Sequence, residues 1–286
     1  MPGAVPVSAP GLRDLPLRIL PPRLLATRPG AVGGRNASRL IERHGRAYRH
    51  SWLMLVSGLF EPLFYLLSIG VGIGALVGKV HGPGGELISF PSFVAPALLA
   101  TSAMNGAVMD STYNVFFRLK YAKLYDSALA TPMGSGDIAA GEIGWALIRG
   151  CLYTIPFLVV MAVLGLIHSP WAVLALPVAL LTGFAFAGAG MAATTFMRSW
   201  QHFEFVQLAT LPMFLFSATF YPLSVYPRPL QIVVECTPLY QGVELMRGLT
   251  LGAVGPGLLW AVLYLGVMGT AGLAVAGYRI SRLLLT

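Results

Sequence analysis

The sequence predicts an all-α integral membrane fold: six transmembrane helices, an N-terminal interfacial helix, and re-entrant outer helices between spans five and six. Three observations carry this prediction. Of 286 residues, 56% are hydrophobic and only 10% are charged, whereas an ordinary soluble domain carries about 25% charged residues. The mean hydropathy is +0.73. Six stretches approach the length of roughly 20 apolar residues that crosses a bilayer core. The basic residues, finally, are strongly segregated along the chain.

Residues 1–35 are rich in Pro, Gly and Arg and hold no apolar run long enough for a signal-peptide core. They read as a disordered basic cytoplasmic tail, held near anionic lipid by its arginines. Residues 36–286 form the membrane domain. It begins with 36-NASRLIERHGRAYRH-50, in which Leu40, Ile41, Ala47 and Tyr48 recur on one side and arginines fill the rest. That pattern fits a helix along the inner interface, or a cytoplasmic extension of the first span.

The spans are residues 53–77, 90–117, 143–167, 171–196, 205–223 and 258–278. Glu61, Asp110 and Arg149 are the only charges in the first three, and the last three carry none. In the first, Gly70, Gly74 and Gly78 are spaced four apart, which favours close helix approach. A nucleotide fingerprint would instead need a strand, a turn and an open helix start. Between spans five and six, 220-FYPLSVYPRPLQIVVECTPLYQGVELMRGLTLG-252 is too apolar for a solvated loop and too broken by proline for a span. Thr237 makes a helix cap and Pro238 a first helical residue. Leu239, Tyr240, Val243, Met246 and Leu249 then share a face. A helix of about 12 residues cannot cross, so it is expected to re-enter or lie at the interface.

The first 51 residues hold nine arginines, and Arg118, Lys120, Lys123, Arg149, Arg198, Arg279 and Arg282 fall on the same side of this topology. Lys79, Arg228 and Arg247 remain for the other side. The bias places both termini in the cytoplasm. It also accounts for the net charge of +8 without nucleic acid. Cys151 and Cys236 fall toward opposite faces and cannot pair. The sequence has no G-x-x-x-x-G-K-[ST], H-E-x-x-H or G-x-S-x-G, so no catalytic residues, metal site or bound cofactor are expected, and the chain is not read as an enzyme.

Ionisable groups in apolar spans are costly and mark paths or packing contacts. Glu61 and Asp110, with Tyr65 and Asn114 beside them, are therefore candidates for a translocation path; helix-packing hydrogen bonds are the alternative. The outer aromatics Phe214, Phe216, Phe220, Tyr221, Tyr226 and Tyr240 fit a sliding surface for lipid or sugar, and equally an interfacial belt. The polar stretch 126-DSALATPMGSGDIAAGE-142 interrupts the apolar text. Before it, residues 119–130 place Leu119, Ala122, Tyr125 and Leu129 on one helical face. Pro132 disfavours helix at Thr131, residues 133–136 turn, and Asp137 can cap a helix leading to Glu142. Such a projecting helix suits a cytosolic partner; a tight loop with an interfacial helix is the bland alternative.

Five stretches together resemble a known family: 61-EPLFYLLSIGVGIGALVG-78, 98-LLATSAM-104, 136-GDIAAGEIGWA-146, 200-WQHFEFVQLATLPMFLFSATFYPL-223 and 238-PLYQGVELMRGLTLG-252. With the T-P-x-x-x-x-[DE]-I turn at 131–138 and the E-x-x-R-x-x-x-x-G end at 244–252, the chain resembles ABC-2 type exporter permeases over roughly residues 36–282. Within them it is similar to the branch that exports lipo-chitooligosaccharide nodulation factors. The resemblance implies a membrane domain paired with a second permease copy, in a homodimer or heterodimer, and with a separate cytosolic P-loop ATPase that holds ATP-Mg. It makes Leu119, Lys120, Lys123, Leu124, Tyr125, Asp126, Leu129, Thr131 and Pro132 the ATPase-coupling helix. It makes the segment with Phe214, Phe216, Phe220, Tyr221 and Tyr240 an outer gate. The implied function is export of an amphipathic, glycolipid-like or lipo-oligosaccharide molecule. The rival readings are a multidrug or antibiotic efflux permease of the same superfamily, and a proton-coupled carrier with Glu61 or Asp110 as relay.

Overall fold

The computed structural model describes residues 36–48 and 60–284; the expected tail, residues 1–35, and the beginning of the first span lie outside them. Helix α1 (Ala37–Tyr48) buries Ala37, Leu40 and His44 and lies on the long helix that begins at Ser135. Helix α2 (Phe60–Val77) is π-helical over Leu66–Ile73. A Cβ on Gly74 would stand 3.3 Å from Pro91 Cδ, so this glycine lets α2 closely approach the helix that begins at Phe90. Gly78 does not extend that stripe. At φ +73° it closes α2, its N–H donating to the Gly74 carbonyl at 2.8 Å.

The chain then makes a hairpin, β1 (Lys79–His81) antiparallel to β2 (Leu87–Ser89), with Val80 opposite Ile88. The all-α prediction misses it. Its strands are only three residues long, and the signal is the 82-GPGG-85 turn, where Gly85 takes φ +83°.

Helix α3 (Phe90–Lys120) starts at a Ser89 cap, with Pro91 in its first turn, and is π-helical over Asp110–Asn114. The helix expected over residues 119–130 is divided. α3 runs through Lys120, the chain turns with Lys123 left-handed at φ +44°, and a separate α4 (Leu124–Leu129) follows. Ala122, expected on the inward face, is exposed in that turn. Helix α5 (Ser135–Val163) begins well before the predicted third span, and Asp137 accepts the Gly134 N–H at 3.0 Å inside its first turn.

Helices α6 (Pro170–Thr194) and α10 (Gly257–Leu284) make the closest pairing in the bundle. A Cβ on Gly188 would lie 2.6 Å from the Gly269 carbonyl oxygen, and one on Gly272 would meet the backbone of Gly188 and Ala189. Helices in lipid gain little from hydrophobic association, so backbone-close packing through small residues takes its place.

The predicted fifth span is a shorter helix than expected. Among the described residues five helices are long and apolar enough to cross a membrane: α2, α3, α5, α6 and α10. Helix α7 (Phe203–Phe216) has 14 residues and stops at Ser217. There Ala218 turns left-handed at φ +55°, and Ser217, Ala218 and Thr219 are all buried. The bend is stabilised from elsewhere: Arg247 donates to the Ala218 carbonyl at 2.9 Å, and the Thr219 hydroxyl to the Phe214 carbonyl at 3.1 Å. Two short helices follow, α8 (Arg228–Glu235) and α9 (Pro238–Leu251). Thr237 caps α9 by accepting the Tyr240 N–H. Leu239, Val243 and Met246 are fully enclosed, because α9 packs among α3, α6 and α10.

The α6–α10 contact gives a direct test. Gly272→Leu forces side-chain atoms into the Gly188 backbone, and overpacking of this kind costs about 1–3 kcal/mol or more. Gly266, on the same helix, has open space beside it. The Tm in detergent is expected to fall sharply for Gly272→Leu and to stay near the parent value for Gly266→Leu.

Candidate functional site

Four elements meet at one carboxylate. Glu142, two turns into α5, is 3% exposed at its side chain. Tyr125 of α4 donates its hydroxyl to Glu142 Oε1 at 3.0 Å, and His44 Nε2 of α1 lies 3.2 Å from the same oxygen. Arg118, near the end of α3, forms an ion pair with Oε2 and stands 3.4 Å from His44 Nε2. Local sequence makes room for this. Cβ atoms on Gly141 and Gly144 would come within 2.9 Å of the Leu40 and Ile41 side chains, so the two glycines let α1 settle on α5. Trp145 then packs against the His44 and Tyr48 rings, 5.7 and 5.3 Å between centroids. Burial, with the Glu142 charge beside it, pushes the Tyr125 hydroxyl well above its usual pKa. Tyr125 is therefore a permanent donor to the carboxylate.

A second ion pair lies deeper along α3 and α5. Asp110 pairs with Arg149 and accepts the Asn114 side-chain N–H at 2.7 Å. Arg149 also donates to the Tyr153 hydroxyl at 2.9 Å and sits over the Tyr48 ring. Asp110 and Asn114 thus belong to a neutralised packing contact. They are not brought together with Glu61 and Tyr65. Those two line a narrow groove with Thr101, Ser102, Asn105 and Phe214, where the Asn105 amide reaches Glu61 at 3.5 Å.

In α4, Tyr125 is buried, Leu124 and Leu129 are half-buried against the core, and Asp126 is exposed; of the flanking residues, Leu119 at the end of α3 is buried and Lys120 beside it exposed, and Lys123, Thr131 and Pro132 are exposed. The outer aromatics form two groups. Phe214 touches Tyr65 and Phe220 edge-on. Phe216 and Tyr221 both meet Tyr226, whose hydroxyl donates to that of Tyr221 at 2.6 Å. Tyr240 joins neither group; burial in α9 pushes its hydroxyl up to about 12.

Sequence reasoning did not single out His44, Arg118 or Glu142 as a cluster, nor Arg247 as a buried group. Arg247 is 4% exposed. It donates to the Phe93 carbonyl at 3.3 Å as well as to Ala218, with its guanidinium 3.8 Å above the Phe93 ring. The available signal was that Glu142 and Arg247 both stand in the quoted 136–146 and 238–252 stretches.

Comparison with known proteins matches residues 37–251 to the family described as ABC-2 type transporter. The chain belongs to the ABC-2 type transporter family. This ABC-2 chain is 34% identical to Nodulation protein J of Rhizobium leguminosarum bv. viciae over 230 residues, 80% of this chain and 86% of that protein. The protein of the same name from R. leguminosarum bv. trifolii is 36% identical over 201 residues, 69% of this chain and 74% of its own length. That of Sinorhizobium fredii is 35% identical over 205 residues, covering 71% and 76%. The ABC-2 match runs from the first residue of α1 to the last residue of α9.

Breaking a buried ion pair by neutralising one partner costs about 3–5 kcal/mol, because the other charge stays buried. Glu142→Gln keeps the shape and strands Arg118, so a large loss of thermal stability is expected. Tyr125→Phe removes one hydrogen bond to a charged group, worth about 1.5–3 kcal/mol, and should rank between Glu142→Gln and the parent. Equal Tm values for all three would show that the cluster holds nothing together.

Proposed function

We propose that this chain is the membrane-spanning permease subunit of an ATP-driven exporter, that ATP is hydrolysed on a separate cytosolic P-loop ATPase, and that α4 is where the ATPase docks. The observation that carries the reading is the two-sidedness of α4. Its outer edge, Asp126, Ser127 and Ala130, is exposed, while Tyr125 ties its inner edge to Glu142 and, through it, to α1, α3 and α5. A helix held this way passes a push on its outer edge into three other helices. Family membership supports the same assignment.

In this reading both termini are cytoplasmic and the chain sits in a bacterial inner membrane beside a second permease copy. The sixth crossing is α7 with its flanking turns: Trp200–His202 and Phe203–Phe216 give about 25 Å of helix at 1.5 Å per residue, and the bent residues 217–222 supply the rest. The Glu61–Asn105 groove and the Tyr65–Phe214–Phe220 rings line the outward route, with α8 and α9 at its outer end. Relatives called Nodulation protein J, matched over most of this chain, favour an amphipathic lipo-oligosaccharide or similar glycolipid as the substrate. The proton-relay alternative is weakened by the Asp110–Arg149 pair, which leaves Asp110 without a free carboxylate.

The test is reconstitution. The tagged chain, solubilised in mild detergent from native membranes, should retain a stoichiometric P-loop ATPase, and proteoliposomes holding both should move a lipo-oligosaccharide only with ATP. Ala130→Trp places a bulky ring on the exposed edge of α4 without entering the core. It should weaken binding of the ATPase by at least about tenfold, equivalent to about 1.4 kcal/mol of docking, and lower ATP-driven transport with it, at unchanged Tm. Transport that survives without any ATPase and collapses with the proton gradient would replace this reading by the ion-coupled one.

A further inference from the structure

Glu61 carries a carboxylate into the apolar run of α2, and among the described residues no cation pairs with it. Its neighbour is the Asn105 amide of α3, which donates to Oε1 across 3.5 Å. Glu61 stands 16 residues before the end of α2 and Asn105 15 residues after the start of α3. At 1.5 Å per residue both lie roughly 22–24 Å from the hairpin that joins the two helices. Tyr65, Ser102 and Phe214 close the groove around them to a volume of about 10 Å³, room for one water. Glu61 is exposed at the mouth, as is Tyr65 one turn further along the same face of α2. The Tyr65 ring meets Phe214 edge-on at 5.6 Å. The Glu61–Asn105 contact is at the outer limit of hydrogen-bond length, so a small group bridging the two improves on it.

We propose that Glu61 and Asn105 form a subsite for hydroxyl groups of the exported molecule, and that the part of it passing here is a neutral saccharide; this rests on the reading of the groove as part of the outward route. Two groups of opposite kind set the chemistry. A carboxylate only accepts hydrogen bonds, and the amide nitrogen facing it only donates. A group that bridges them must donate to one and accept from the other, which a hydroxyl does. An ammonium has three donors and no acceptor, so it satisfies Glu61 and leaves Asn105 without a partner. A phosphodiester or pyrophosphate is charged and acceptor-only. Glu61 repels it, and no Lys or Arg lines the groove to offset that. The slot admits one hydroxyl at a time and keeps a sugar ring at the mouth, beside Tyr65, whose apolar face suits the C–H side of a pyranose. A site on a transport route must also release what it binds. Hydroxyl–carboxylate bonds are exchanged for water one by one, whereas an ion pair away from water is costly to part.

The experiment follows ATP-driven transport in proteoliposomes that hold the chain and its ATPase, with three probes sharing one alkyl chain: an N-acylated chito-oligosaccharide, an alkyl amine and an alkyl phosphate. The oligosaccharide should be moved, and neither the amine nor the phosphate should compete with it. Glu61→Leu and Asn105→Leu should each raise its KM at least about tenfold, the loss of a hydrogen bond to a charged group, with the Tm near the parent value. Glu61→Gln keeps an acceptor and should recover most of that loss. Asn105→Asp removes the donor and should not; it should also let the amine compete. If both leucine variants keep the parent KM, whether or not their Tm falls, the pair is a packing contact and the subsite is wrong, while transport by the same vesicles upholds the exporter reading. If Glu61→Gln is as impaired as Glu61→Leu and the amine competes in the parent, the site takes a cation and the proposal is overturned. If the unaltered chain with its ATPase moves none of the three probes, the lipo-oligosaccharide reading and this subsite fall together.

Discussion

A carboxylate enclosed where α1, α3, α4 and α5 converge has to be neutralised by groups from all of them, and much of the local structure follows from that requirement. Glu142 cannot satisfy two oxygens from its own helix, so it draws the end of α3 through Arg118, α4 through Tyr125 and α1 through His44. Each partner then needs backbone in a particular place. Gly141 and Gly144 remove the side chains that would keep α1 away. The left-handed Lys123 lets the chain leave α3 and bring Tyr125 back under the same carboxylate. The energetic logic is asymmetric: the assembled cluster need not add much net stability, but losing any charged member is costly. The four elements therefore move together or pay the cost of parting.

The rest of the bundle is held by different physics. Between α6 and α10, Gly188, Gly269 and Gly272 bring backbones into contact, and dispersion at close range replaces the hydrophobic drive that lipid does not provide; charge enters at the end of α6, where Arg279 donates to the Thr195 carbonyl at 3.4 Å. A protein built this way has one region bound by few, directional, expensive contacts and another by many weak ones. The directional region lies beside the exposed helix on which the proposed ATPase acts. Small displacements there are transmitted because ion pairs hold fixed distances, whereas packed small residues can slide.

Much of this was legible in the sequence. Spans two, three, four and six are long runs with one charge or none, and the helices of two, four and six start within a residue of where hydropathy put them, whereas that of span three starts earlier, at Ser135. The Thr237–Pro238 start of α9 was readable because a cap followed by proline is a local signal. The break at Ser217–Thr219 was not, because its cause is remote: Arg247, 29 residues beyond Ala218, supplies the donor that makes its left-handed backbone tolerable. From charge alone Arg247 reads as one more outer basic residue. The same holds for Glu142, whose partners lie 17, 24 and 98 residues away. Helical periodicity also joined residues 119–130 across a turn that only the return of Tyr125 to Glu142 requires. Periodicity finds helices; it does not find the tertiary hydrogen bond that interrupts one.

Helix α3 links the two ends of the molecule. Phe93, in its first turn, gives its carbonyl and ring to Arg247 of α9, and Arg118, in its last, gives its charge to Glu142. These positions are 25 residues apart, about 37 Å along an α-helix. α3 is thus fastened at both ends through guanidinium groups: its first turn holds the buried Arg247 of α9 by a carbonyl and an aromatic face, and its last turn reaches the Glu142 carboxylate through its own Arg118. Between them the helix is π-helical at Asp110–Asn114, where the Arg149 pair attaches it to α5. A π-turn is a local fault in helix register and often occurs where a helix serves function. With both ends fixed, a shift imposed at Arg118 has two outlets: displacement of Arg247 and the α7 bend it stabilises, or adjustment of the π-turn. The first outlet runs from the α4 end of the molecule to the bend at Ala218, which makes α3 a continuous route between the proposed docking helix and the proposed outer gate.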